Sequence, residues 1–96
     1  MENFMSIREL LAMNLKFCRK KYNLSQEKFA EILGTTLSYL NHIENCKVDI
    51  KASTIDKFAK NICAYDSKAK MTPENLIKYD KRRVTNFSRI DQRKKD

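Results

Sequence analysis

Gly34 is the only glycine in this 96-residue chain, and Pro73 is the only proline. Hairpin turns and β-bulges draw heavily on glycine, whereas the Lys, Glu, Leu, Ile and Ala that fill the long uninterrupted stretches here favour helices. The expected class is therefore all-α. The position of the glycine narrows this further. In A-E-I-L-G-T-T-L-S-Y-L, Ala30 to Leu40, it stands one helical turn after a small residue and directly before two threonines. A residue with positive φ ends a helix cheaply, and glycine takes that conformation without a Cβ clash. A side chain larger than that of Ala30 would hold the next helix away. The stretch therefore specifies two short helices meeting at a corner, crossing at roughly 90 to 120 degrees.

The rest of the chain divides around that corner. Ser6 stands as an N-cap, with Glu9 completing a capping box and Met5 set to staple against Leu10, and the first helix runs to about Tyr22. Its apolar residues form two stripes. Ile7, Leu11, Leu15, Cys18 and Tyr22 make a core face. Leu10, Met13 and Phe17 make a second, which needs either the chain's own C-terminal segment or a second subunit to cover it. Ser25 caps a second helix, Gln26 to Leu33, with Phe29, Ala30 and Leu33 inward. Thr36 caps a third, from Leu37 to about Asn45, with Leu40 and Ile43 inward. A fourth opens at Lys51 or Ala52 and turns Ile55, Phe58, Ala59 and Ile62 to the core. The segment from Tyr65 to Met71 reads as a loop, and Thr72-Pro73-Glu74 starts a fifth helix that carries Leu76 and Ile77. Residues 1–79 thus form one domain. Beyond them the chain is highly charged, yet Val84, Phe87 and Ile90 recur every three residues, so 80–96 is a basic helix extension, continuing the fifth helix, or a tail.

Twenty Lys and Arg against twelve Asp and Glu leave a net charge of +8, which suits a polyanion or an anionic membrane surface. The N-terminus carries no basic cluster, and no apolar run approaches the roughly 18 residues that span a bilayer, so the expectation is a soluble, cytoplasmic protein. Cys18, Cys46 and Cys63 are odd in number without a C-x-x-C pair, and His42 is the only histidine, which argues against a metal site or cofactor and for reduced thiols. The sequence holds no phosphate-cradling glycine loop, no paired-carboxylate constellation and no nucleophile at recognised spacing from His42. An enzyme is not expected.

The run N-L-S-Q-E-K-F-A-E-I-L-G-T-T-L-S-Y-L-N-H-I-E-N, Asn23 to Asn45, resembles the lambda-repressor and Cro type of helix-turn-helix, the XRE family. In that family L-[ST]-Q-x-x-[LVF]-A-x-x-x-G leads into a recognition helix ending in [IL]-E. The resemblance covers about Leu11 to Ile77 and implies a five-helix lambda-repressor-like bundle that binds double-stranded DNA with its third helix in the major groove. Carried over by position, Thr36, Leu37, Ser38, Asn41 and His42 face the bases. Ser38 donates or accepts, Asn41 matches the paired bond adenine offers, His42 reaches a guanine or a phosphate, and Leu37 suits a thymine methyl. Tyr39 is placed partly packed, with its hydroxyl toward a phosphate.

Gln26 resembles the family glutamine that approaches a phosphate together with a helix N-terminus, and Asn45 and Lys47 resemble the matching clamp on the far side, with Lys20, Lys21, Lys28 and Lys51 adding charge. Arg19 and Glu44 hold places where family members often form a partly buried structural salt bridge. The sequence also departs from the family. Cys46 replaces a common glycine, so the turn there takes positive φ with a Cβ or another geometry, and its thiol lies near basic residues that would activate it. Thr35 and Ile50 replace a usual aliphatic and a common proline, Lys28 sits where an acid would complete a capping box, and the first helix begins two turns early. The implied function is a sequence-specific transcriptional regulator acting as a homodimer on an inverted repeat, with half-sites about 34 Å apart. The alternative is an antitoxin-like or bridging module that binds a protein partner through Leu10, Met13, Phe17 and the C-terminal segment.

Overall fold

Four of the five helices among the described residues begin where a side chain satisfies the first free N–H groups; the fourth, opening after Lys51, has no side-chain cap. The computed structural model describes residues 4–83. It contains α1 (Ile7–Lys21), α2 (Gln26–Leu33), α3 (Leu37–Glu44), α4 (Ala52–Tyr65) and α5 (Pro73–Leu76), with a 3₁₀ turn at Ser67–Ala69. Among these residues no strand forms. Ser6 Oγ accepts from the Glu9 N–H at 3.2 Å while Glu9 Oε1 accepts from the Ser6 N–H at 2.9 Å. Ser25 Oγ accepts from the Lys28 N–H at 3.1 Å, and Thr36 Oγ1 from that of Tyr39 at 3.0 Å. At α5 the box is closed by Asn75, whose Oδ1 accepts from the Thr72 N–H at 3.2 Å. Each cap satisfies donors that the helix itself leaves open.

The ends of α1, α2 and α3 share one solution. Within two residues of each helix end the backbone turns left-handed: at Asn23 with φ 57°, two past α1, at Gly34 with 79°, directly after α2, and at Cys46 with 59°, two past α3. The next N–H then reaches back over the last turn, from Leu24 to Arg19 O at 3.0 Å, Thr35 to Ala30 O at 2.9 Å, and Lys47 to His42 O at 2.9 Å. This double-turn closure favours glycine and accepts asparagine. Cysteine has no such excuse. At Cys46 the left-handed backbone costs about 1 kcal/mol, so Cys46→Gly is expected to raise stability by about that amount in urea unfolding; a loss would show that the thiol contact outweighs the strain. The thiol is half-buried, 3.9 Å from Arg8 O. Arg8 in turn donates to Asp49 Oδ1 at 2.6 Å and to Cys46 O at 3.4 Å, so the early first turn of α1 braces the loop after α3.

The apolar faces converge on one core. α1 packs on α3 and α5, α2 on α3 and α4, and α4 on α5. Leu15, Leu33, Leu40, Phe58 and Leu76 are fully covered within it. Cys18 is buried too, which pushes its thiol up to about 11 and leaves it inert. Ile7 departs from the expected core face. It is 53% exposed because it is the first residue of α1, ahead of the point where the helix meets the bundle.

The second stripe of α1 is largely covered by the chain itself. Met13 is 1% exposed, and Leu10 and Phe17 are half-buried. The Arg83 guanidinium lies 4.4 Å from the Phe17 ring centroid. Buried Asn14 completes this contact: its Nδ2 donates to Leu76 O at 3.0 Å and Lys78 O at 2.9 Å, and its Oδ1 accepts from Arg83 Nη1 at 2.6 Å. Of the two readings of the basic segment, helix extension or tail, an unbroken continuation of the fifth helix is not what residues 77–83 show. α5 stops at Leu76, the carbonyls of Leu76 and Lys78 turn to Asn14, and Asp80 accepts from the Arg82 N–H at 2.9 Å to open a separate helical turn at 81–83. Val84, Phe87, Ile90 and the basic run from Arg93 to Lys95 lie outside the described residues.

The segment expected as a loop is held in place. Asp66 accepts from the Tyr22 hydroxyl at 2.6 Å and from the Lys68 N–H at 3.0 Å, bonds that keep its carboxyl below the usual carboxylate range. Tyr22 also meets Tyr65 edge to face at 5.4 Å. Among the described residues, no helix is long and apolar enough to cross a membrane.

Candidate nucleic-acid interface

The corner after α2 positions everything that follows. Gly34 takes φ 79°, and two side chains of α4 close the carbonyls it leaves behind: Lys57 Nζ donates to Gly34 O and Asn61 Nδ2 to Leu33 O, each at 2.8 Å. A Cβ on Gly34 would stand 3.1 Å from both Asn61 Nδ2 and Lys57 Cε. The glycine therefore serves the turn and the close approach of α4 together. Sequence reasoning did not find Lys57 and Asn61. Their spacing of four puts them on one edge of α4, but nothing local says which carbonyls they meet.

From this corner α3 runs across the bundle with Leu40, Ile43 and Glu44 buried. Thr36, Leu37, Ser38, Asn41 and His42 are exposed, with Leu37 at 48%. Tyr39 is half-buried and packs against the core, Asn45 and Lys47 are exposed just past the helix, and Gln26 is half-buried at the start of α2. Lys20, Lys21 and Lys51 are exposed. Lys28 is exposed as well, but its ammonium lies 3.1 Å from Glu31, which offsets its charge. An outward row of hydroxyl, carboxamide, imidazole and methyl groups on a rigid helix can form hydrogen bonds and apolar contacts to base edges. The positive end of α2 and the nearby lysines suit phosphate.

Beneath that row lies a charge pair. Arg19 Nε donates to Glu44 Oε2 at 2.9 Å and Nη2 to Oε1 at 3.0 Å, while Nη1 holds Leu24 O at 3.2 Å. The Glu44 side chain is 0% exposed and that of Arg19 12%. The arrangement ties α1 to the last residue of α3 with the strongest geometry an arginine offers a carboxylate. Gln26 joins the pair, with Nε2 donating to Glu44 Oε1 at 2.9 Å and Oε1 accepting from Asn41 Nδ2 at 3.3 Å. Asn45 Nδ2 donates to Asn41 O at 2.9 Å and Asn41 Oδ1 at 3.2 Å. The structure thus joins Arg19, Glu44, Gln26, Asn41 and Asn45 in one network. Leu37, Ser38, His42 and Lys47 stand outside it.

Among the described residues, no group of three or more His, Cys, Asp and Glu is placed to hold a metal ion.

Comparison with known proteins agrees with this geometry. The family model described as "Helix-turn-helix domain" matches residues 12–79. The chain is 40% identical over 57 residues to Control protein C.SmaI of Serratia marcescens, a match covering 59% of this chain and 68% of that protein. Among solved structures, the fold is similar to that of the hypothetical transcription factor NHTF from Neisseria, with a TM-score of 0.67 at 24% identity, covering 83% of this chain and 84% of that one. At that identity the likeness is one of fold. The family match takes in the glycine corner, the capped helix beyond it and the helices that hold both, and by it this chain belongs to the XRE-type helix-turn-helix family of DNA-binding transcription regulators.

Proposed function

We propose that this chain regulates transcription by reading the major groove with α3 as a homodimer, each subunit occupying one half of an inverted repeat. The observation that carries the reading is the two-sided character of α3, whose buried side is locked to the bundle through Glu44 while Thr36, Leu37, Ser38, Asn41 and His42 are exposed on the other. Those five residues supply base contacts. Gln26, Tyr39, Asn45 and Lys47 supply phosphate contacts that set the register, as such contacts do without carrying sequence information. The two-fold arrangement follows from how such domains use operators, with half-sites about 34 Å apart. A relative named a control protein is consistent with a regulatory role. The second reading, a module for a protein partner using Leu10, Met13 and Phe17, has less to support it, since the chain covers Met13 itself.

Selection from a random duplex library, followed by gel shifts over a salt series, tests the proposal. A two-fold symmetric consensus is expected, with log K falling linearly in log salt by about 0.9 for each phosphate neutralised. Lys47→Ala should weaken all sequences alike and reduce that slope by about one. Absence of a preferred site together with salt-independent retention would discard the reading.

A further inference from the structure

We propose that the buried Arg19–Glu44 pair sets the donor–acceptor polarity of the Asn41 carboxamide through Gln26, making Gln26 a positioning residue for base choice. The inference rests on the reading of α3 as the base-contacting helix. An ionised carboxylate only accepts hydrogen bonds, and a carboxamide both donates and accepts. Glu44 Oε1 already receives Arg19 Nη2 at 3.0 Å, and the Gln26 group it meets at 2.9 Å is Nε2. Turning the Gln26 amide over would bring oxygen against oxygen at that distance. Gln26 Oε1 therefore faces away from Glu44, toward Asn41, and the group it meets at 3.3 Å is Nδ2. A reversed Asn41 would again oppose two acceptors. Asn45 Nδ2, 3.2 Å from Asn41 Oδ1, selects the same orientation from the other side.

Along the hydrogen-bonded chain that starts at Glu44, each of the three carboxamides gives its nitrogen to the acceptor before it: Gln26 to Glu44, Asn41 to Gln26 and Asn45 to Asn41. The direction starts at a side chain with no exposure of its own and ends on the exposed Asn41. Asn41 is left with one N–H and one acceptor site. That pair matches the N7 acceptor and N6 donor of adenine, whereas the two acceptors of guanine would need both N–H groups, one of which Gln26 holds. Asn41 is accordingly preset for adenine before DNA arrives.

Site selection on the intact chain, compared for the wild type, Asn41→Ala and Gln26→Met, tests the relay. Asn41→Ala is expected to erase an adenine preference at one position of each half-site. Gln26→Met, which keeps the side-chain length and removes the polar ends, should lower preference at that same position by about tenfold, within the discrimination a good bidentate contact supplies, while the remaining positions keep theirs. A uniform loss of affinity with unchanged base preferences would make Gln26 a phosphate contact alone and overturn the relay. So would an Asn41→Ala consensus identical to the wild type. A wild type without any preferred site would remove the proposed function and the relay together, so the two failures are distinct. If Gln26→Met does not fold by circular dichroism, NMR relaxation of the DNA-free wild type decides: an Asn41 side-chain order parameter near the rigid value of about 0.85 supports the relay, and one below about 0.6 overturns it.

Discussion

Arg19→Ala is expected to remove about 3–5 kcal/mol of folding stability, the range found when one partner of a buried ion pair is taken away. The loss is large because of what remains. Glu44 has a side chain with 0% exposure, and without the guanidinium its carboxylate keeps, among the described residues, only the Gln26 donor. The same substitution also frees Leu24 O, where the chain leaves α1 for α2. Arg8→Ala is the control. Its pair with Asp49 is shorter, at 2.6 Å, but the side chains are 47% and 84% exposed, so water replaces the contact and the change should be about 0–1 kcal/mol. For a domain of this size the contrast amounts to a melting temperature lowered by about 15 °C or more against a few degrees. Urea unfolding of both variants checks it, and equal losses would mean that the buried pair does not hold α3 in place.

Gly34→Val should cost about 2–3 kcal/mol, and it tests the corner itself. At φ 79° a β-branched residue is strained wherever it sits, since its Cβ crowds the following carbonyl. Here the space is also taken. Lys57 Cε and Asn61 Nδ2 stand 3.1 Å from where the Cβ would be, and both side chains are engaged in capping carbonyls, so neither retreats without giving up a bond. Asn23→Gly offers the comparison, because Asn23 closes α1 at φ 57° and glycine there relieves strain rather than adding it. Thermal melts should show the valine variant well below the wild type and the Asn23 variant at or above it. A valine variant with unchanged stability would mean that α2 and α3 meet by some other geometry.

The features legible in the sequence were those that act within a turn or so of themselves. Ser6 with Glu9, Ser25, Thr36 and Thr72 with Pro73 each mark a helix start, because a cap bonds an N–H three residues on. Gly34 marked the corner for the same reason, as did the spacing of Ile55, Phe58, Ala59 and Ile62 for the buried face of α4. Asn23 shows the limit of this. It breaks a helical pattern in sequence, yet its left-handed role appears only beside Leu24 reaching back to Arg19. The Arg19–Glu44 contact entered through resemblance to a family, not through spacing, since neither residue carries a local sign of the other.

What the sequence alone determined is the set of helices and which face of each is apolar: hydrogen bonding and periodicity along a chain are short-ranged, so local residue types suffice. Tertiary structure decided how the polar groups pair. Asn14 meets Arg83 across 69 residues, Lys57 reaches Gly34 across 23, and Gln26 turns its amide to suit a carboxylate 18 residues away. A hydrogen bond needs its partners within about 3 Å and correctly aimed, and only the packing of whole helices brings groups so distant in the chain to that separation.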